Sequence, residues 1–135
     1  RKPGSALFVT NGMECAFWLL ERDLRVYVAG GALKRDTASA AGAETMDSLR
    51  RYNFTKAFLG AGGVTVREGF TVADPEDAAV KALAAARARQ TYMLVDSSKF
   101  GRIGAASVLH IDEASVITDQ APGREFQDYA EVTVV

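Results

Sequence analysis

The stretch MLVDSSKFG, Met93 to Gly101, gathers more chemistry than any other part of the chain. An apolar run ends in an acid, two hydroxyls, a lysine and a glycine. A carboxylate accepts hydrogen bonds from hydroxyl groups, and an ammonium holds an anion such as phosphate. Three other apolar runs end in a related way: in Thr10-Asn11, in Gly30-Gly31, and in Gly60 with Gly62-Gly63. Glycines let backbone N–H groups approach a ligand, and successive N–H groups form anion-binding concavities. Asn11 and Asp96 suit sugar hydroxyls, and Lys99 suits a phosphate. Together these residue types describe a site for a small polyhydroxylated anion.

Each signal has a plainer structural reading. Gly30-Gly31 can be a tight turn. Gly60–Gly63 lacks the GK[ST] of a Walker loop, and no helix follows it directly as a dinucleotide fingerprint requires. Asp96-Ser97-Ser98 can cap a short helix starting near Lys99. Lys81 fits a solvated helix flank, His110 a partly buried position after a strand, and Cys15 a small helix position. Trp18 lies off the apolar stripe of its helix, which suits either packing or a partner subunit. The recurrence of small and polar residues at the ends of successive strands favours a site.

The elements that must position these residues alternate. Ala6–Thr10 reads as a strand. Asn11, with Glu14 three residues on, resembles a capping box. A helix over Gly12–Arg22 then has Met13, Ala16, Phe17 and Leu20 at helical spacing. Further strands are predicted over Arg25–Gly31, Lys56–Val64, Thr91–Val95, Ser107–Ile111, Ala114–Thr118 and Glu131–Val135. Further helices are predicted over Gly42–Asn53, with Met46 and Leu49 inward, over Asp74–Gln90 and over Pro122–Ala130. Asp74 is placed to cap, Pro75 to open the helix, and arginines to close it. Ala32–Ala41 is the longest irregular segment. Strand and helix alternating at this spacing imply βαβ units, hence an α/β fold with a mostly parallel sheet flanked by helices. In such sheets, ligands sit outside the carboxyl ends of the strands.

Composition excludes several function classes. The chain has 135 residues, 48% of them hydrophobic and 24% charged, as for one globular domain. A net charge of −1 without any Lys/Arg cluster gives no nucleic-acid footprint. No apolar run is long enough to cross a bilayer, and no cleavable leader is expected from RKPGSALFVT. One cysteine and one histidine argue against a zinc site, and no cofactor or metal is expected. A single cysteine suits a reducing, cytoplasmic setting.

The segments FVTNGMECAFWLLE, VYVAGGALKRDTASAAG, KAFLGAGGVTVREGFT, DAAVKAL and LVDSSKFG together resemble the C-terminal sensor domain of DeoR-family transcriptional regulators, in order and spacing along nearly the whole chain. The resemblance implies a Rossmann-like α/β fold related to sugar-phosphate isomerases, without isomerase activity and without catalytic residues. It implies binding of a phosphorylated sugar or related catabolite, homo-oligomerisation as dimer or tetramer, and DNA contact through a separate helix-turn-helix domain. Thr10 and Asn11 match the family's TN. Gly30, Gly31, Arg35 and Asp36 match its GG…RRD segment, and Gly60 and Gly63 its FxGAxG turn. Lys81 matches a helical lysine, and Asp96, Ser98 and Lys99 match DSSKFG. Against the family pattern, residues 1–135 read as a single effector-sensing domain that lacks the DNA-binding domain and the first strand-helix unit with its phosphate-gripping turn.

Two other readings are open at this stage. A sugar-phosphate isomerase needs a general base, for which Glu68, Asp74, Glu76 and Asp96 are the candidates. A vestigial oligomerisation module needs no ligand.

Overall fold

The computed structural model describes residues 6–135, which divide into two compact units, one running to Arg51 and the other over Tyr52–Val135. In the first, β1 (Leu7–Thr10) pairs in parallel with β2 (Arg25–Val28), and α1 (Met13–Glu21) connects them. β3 (Ala32–Lys34) and β4 (Ser39–Ala41) form an antiparallel hairpin, followed by α2 (Ala43–Leu49). The segment expected to be irregular is therefore a hairpin. Its second strand is held by the turn after β1: Ala40 N donates to the Asn11 carbonyl at 2.8 Å, and Met13 N to the Ala38 carbonyl at 2.9 Å.

The second unit carries the predicted sheet. β5 (Phe54–Gly60), β8 (Ala88–Leu94), β10 (Ser115–Thr118) and β11 (Val132–Val134) form a four-stranded, wholly parallel sheet in the order β11-β10-β8-β5. α3 (Pro75–Ala86) and the short α4 (Arg124–Gln127) supply the flanking helices, burying Ala78, Val80 and Ala85, and Phe126. This is the mixed α/β arrangement, parallel at its centre, that the strand–helix alternation and the family resemblance predicted.

Beside it stands an antiparallel sheet in the order β6-β7-β9, made of β6 (Gly63–Thr65), β7 (Gly69–Val72) and β9 (Ala106–Leu109). The strand predicted over Lys56–Val64 breaks at Ala61-Gly62, where Gly62 N donates to the Thr71 carbonyl at 2.9 Å. β7 lies where no element was predicted, and all four of its residues are buried. Phe70, Val64, Met93 and Val116 are almost wholly inaccessible and form the centre of the core.

Several helical expectations change: the helix expected over Gly42–Asn53 ends at Leu49, and the one expected over Pro122–Ala130 spans only Arg124–Gln127. The helix expected to reach Gln90 stops at Ala86, and residues 88–90 join β8. Arg87 makes the break: its Nε donates to the Tyr52 carbonyl at 2.9 Å, its guanidinium reaches Asn53 Oδ1 at 3.0 Å, and its carbonyl receives Phe54 N at 2.9 Å. These cross-chain bonds outweigh the helix propensity of the ARAR run. α1 begins after Gly12 without a side-chain cap, because Asn11 Nδ2 donates instead to the Ala40 carbonyl at 2.8 Å. Its buried residues are Ala16 and Leu19, whereas Phe17 and Leu20 are 64% and 55% exposed. Trp18 is exposed as its position off the stripe suggested, with the Arg22 guanidinium 3.3 Å from its ring centroid.

Gly63, in β6, lies tightly against the backbone at Arg102. A Cβ there would lie 2.3 Å from the Arg102 carbonyl oxygen and 2.7 Å from its carbon, both backbone atoms with no room to retreat. Gly60 offers a control, since its Cβ would meet only the Leu94 carbonyl at 3.9 Å. Gly63→Ala is expected to destabilise the protein by about 1–3 kcal/mol, and Gly60→Ala by much less, as read from urea denaturation.

Candidate functional site

In the second unit, the parallel register sets the ends of β5 and β8 side by side, with Gly60 opposite Leu94. Just past β8, Asp96 caps a 3₁₀ turn over Ser97–Lys99. Its Oδ1 accepts from Ser98 N at 2.8 Å and also from the Ser98 hydroxyl. Lys99 N donates to the Asp96 carbonyl at 3.1 Å. Both of these bonds fall on Oδ1. The far end of the turn is tied to β6 by Gly101 N, which donates to the Val64 carbonyl at 2.8 Å. Phe100 is packed edge-on against Phe126, with ring centroids 4.9 Å apart.

The cap predicted for Asp96-Ser97-Ser98 is thus present. The same turn fixes the backbone of Lys99, whose N–H donates to the Asp96 carbonyl. Lys81 departs from the solvated flank expected of it. Its side chain is only 23% exposed, its Nζ donates to the Gly60 carbonyl at 2.9 Å, and it lies 3.2 Å from Asp77 Oδ2. It ties α3 to the carboxyl end of β5. Gly60, Gly63, Lys81, Asp96, Ser98 and Lys99 are accordingly gathered at one end of the second unit.

The first unit has its own cluster. Thr10 and Asn11 end β1, and Gly30-Gly31 follow the adjacent β2. Thr10 Oγ1 accepts from Gly12 N at 3.1 Å. Gly31 has φ +145°, and a Cβ there would lie 2.5 Å from Thr45 Oγ1. That hydroxyl, wholly buried, donates to the Gly30 carbonyl at 2.8 Å. Gly31 makes a bend between β2 and β3, in place of the tight turn that its sequence allowed. Arg35 and Asp36 sit at the exposed tip of the β3–β4 hairpin, whose second strand is bonded to the turn after β1.

One residue at this end of the second unit was missed. Asp119 directly follows β10, the neighbour of β8, and its Oδ1 accepts from Ser97 N at 2.6 Å. The signal was legible: ASVIT was read as a strand, and the polar residue beyond it was passed over. His110 is exposed rather than partly buried, and its backbone N–H donates to Glu113 Oε1 at 2.8 Å. A shallow concavity near it is lined by Arg67, Glu68, Ser107, His110 and Glu113, and contains none of the predicted site residues. Of the candidate general bases, Asp74 is committed to capping α3 by accepting from Glu76 N at 2.9 Å. Among the described residues, no His/Cys/Asp/Glu group could hold a metal ion, and no helix is long and apolar enough to cross a membrane.

Hydrogen bonding sets the electrostatics of the turn. The bonds from the Ser98 hydroxyl and Ser98 N hold the Asp96 carboxyl below its ordinary value of 3.8, and the Lys99 and Arg102 charges add to this. The Ser97 N–H chiefly does the same for Asp119. A carboxyl whose folded value lies below its unfolded one stabilises the fold above the unfolded value, and that contribution is lost as pH falls through the folded value. Carboxyl ¹³C titration is therefore expected to place both midpoints below 3.8, with the turn loosening only in more acidic solution. A midpoint at or above that value would remove the bonding described here.

Comparison with known proteins bears on the whole chain. The family model for the DeoR C terminal sensor domain matches residues 3–120. The HTH-type transcriptional regulator FruR of Bacillus subtilis is 36% identical over 134 residues, covering 99% of this chain and 53% of FruR. The HTH-type transcriptional regulator GlpR of Haloferax volcanii is 34% identical over 138 residues, covering 99% of this chain and 54% of GlpR. A putative aga operon transcriptional repressor of Escherichia coli O157:H7 is 28% identical over 118 residues, covering 87% of this chain and 44% of the repressor. The chain spans about half the length of these relatives, and all carry the names of regulators or repressors rather than of enzymes. With a family match over nearly nine-tenths of its residues, the chain belongs to the DeoR C-terminal sensor-domain family.

Proposed function

We propose that this chain is the effector-binding part of a transcriptional regulator, and that its effector is a phosphorylated sugar or a related catabolite. The observation that carries this reading is the placement of Asp96, Ser98 and Lys99 on one bonded turn beside Gly60, at the carboxyl ends of adjacent parallel strands. Lys99 supplies the positive charge for the anionic group, and Asp96 Oδ2 accepts from a hydroxyl. Ser98 holds the aspartate in place. Lys81 steadies the Gly60 carbonyl from below the turn. Thr10, Asn11, Gly30, Gly31, Arg35 and Asp36 enter the same reading only through the resemblance of their sequence segments to the family.

The regulatory consequence follows from linkage. A ligand shifts a conformational equilibrium only by its differential affinity for the two states. In this reading, residues 1–135 are one sensing domain of a longer, cytoplasmic homo-oligomer. DNA is contacted by a helix-turn-helix domain elsewhere in that polypeptide, as the relatives' HTH-type names suggest.

Thermal unfolding in the presence of hexose and triose phosphates, the free sugars and inorganic phosphate tests the effector class. A ligand at 100 times its dissociation constant stabilises by about 2.7 kcal/mol. A shift is expected with phosphorylated sugars and not with free sugars. Removing one charge-assisted bond with Lys99→Ala is expected to cost about 1.5–3 kcal/mol of binding, a loss on the order of 10- to 100-fold. Undiminished affinity in that variant would refute the site. Asn11→Ala and Arg35→Ala test the residues of the first unit in the same screen.

A further inference from the structure

Three successive N–H groups open the 97–99 turn, and each has its own acceptor. Ser98 N is taken by the Asp96 carboxylate and Lys99 N by the Asp96 carbonyl, both local bonds within the turn. Ser97 N is different: its acceptor, at 2.6 Å, is a carboxylate 22 residues away, on Asp119. The same aspartate places Oδ2 3.4 Å from the Ser97 hydroxyl, and the Thr118 hydroxyl lies 3.3 Å from its Oδ1. The strand beneath it is in register with β8, with Ile117 opposite Leu94, and Val95 N donates to the Ile117 carbonyl at 3.1 Å. Asp119 therefore stands on a rigid support beside the turn. The turn is clamped at two points: by Asp119 at Ser97, and by the Val64 carbonyl at Gly101. Lys99 lies between them.

We infer that Asp119 is a positioning residue for the effector site, holding Ser97 so that Asp96 and Lys99 face the ligand in fixed directions. The ligand half of this inference rests on the proposed function; the clamping half does not. A charged N–H···O bond across neighbouring strands is stronger than a neutral one and fixes direction as well as distance. Both Asp119 oxygens are turned to serine and threonine donors.

Asp119→Ala and Asp119→Asn, each in the full chain, separate the two halves. Amide hydrogen exchange without ligand reads the clamp. In Asp119→Ala, exchange at Ser97 is expected to accelerate at least tenfold, with the core strands unchanged. Asp119→Asn keeps an acceptor oxygen and is expected to recover part of that protection. Binding of inorganic phosphate and of hexose and triose phosphates, measured by calorimetry, reads the site. Asp119→Ala is expected to weaken phosphosugar binding at least tenfold with little change in melting temperature, and the asparagine variant to fall between. Unchanged Ser97 exchange in Asp119→Ala overturns the inference. So does full binding by Asp119→Ala where Lys99→Ala has lost it. Should the wild-type chain bind none of the probes, the proposed function fails, while the exchange result still decides the clamp. Should the alanine variant fail to fold, the asparagine variant carries both measurements: partial loss supports the inference and none overturns it.

Discussion

The parallel ladder between β5 and β8 is the constraint on which the second unit depends. It runs from Phe54 opposite Ala88 to Gly60 opposite Leu94. Side chains alternate along it, so a slip of one residue would carry Met93 and Ala57 from the core to the other face. Both are buried, and Met93 is wholly so. Burial therefore fixes the register, and the register fixes which residues emerge together at the carboxyl ends. Phe58 and Tyr92, opposite each other on the other face, stack at 5.3 Å and reinforce the same alignment.

Everything at the candidate site hangs from that alignment by short bonds. Lys81 reaches the Gly60 carbonyl from α3. The segment beyond β8 is fastened to β6 through Gly101, to β10 through Val95, and to Asp119 through Ser97. The antiparallel β6-β7-β9 sheet exists because the chain leaves the parallel sheet after Gly60, and Gly63 permits the Arg102 carbonyl to approach. The glycines of this tract differ in their surroundings: Gly63 is crowded by backbone, whereas Gly60 is open.

A regulator's sensor site has different needs from an active site. It must hold a ligand and report its presence, without moving protons. The turn at Asp96–Lys99 suits that task. The Asp96 carboxyl, and that of Asp119 beside it, are held ionised by hydrogen bonds instead of being raised toward neutrality. Catalytic acids and bases are usually tuned the other way, toward the operating pH. Names of regulators and repressors among the relatives agree with this chemistry.

The sequence by itself determined the class of fold, the family and the presence of the DSSK turn. Those depend on local signals: apolar runs, the Asp74-Pro75 helix start, and residue types at strand ends. It misplaced whatever is settled at a distance. Arg87 ends α3 because Tyr52 and Asn53 capture its guanidinium. Asn11 caps nothing because the Ala40 carbonyl takes its amide. β7 was overlooked because GFTV is short, and only its burial between β6 and β9 makes it a strand. Asp119 was passed over because its partner lies 22 residues back along the chain. Tertiary structure decided these points because a hydrogen bond depends on separation in space, and only the folded sheet brings such donors and acceptors together.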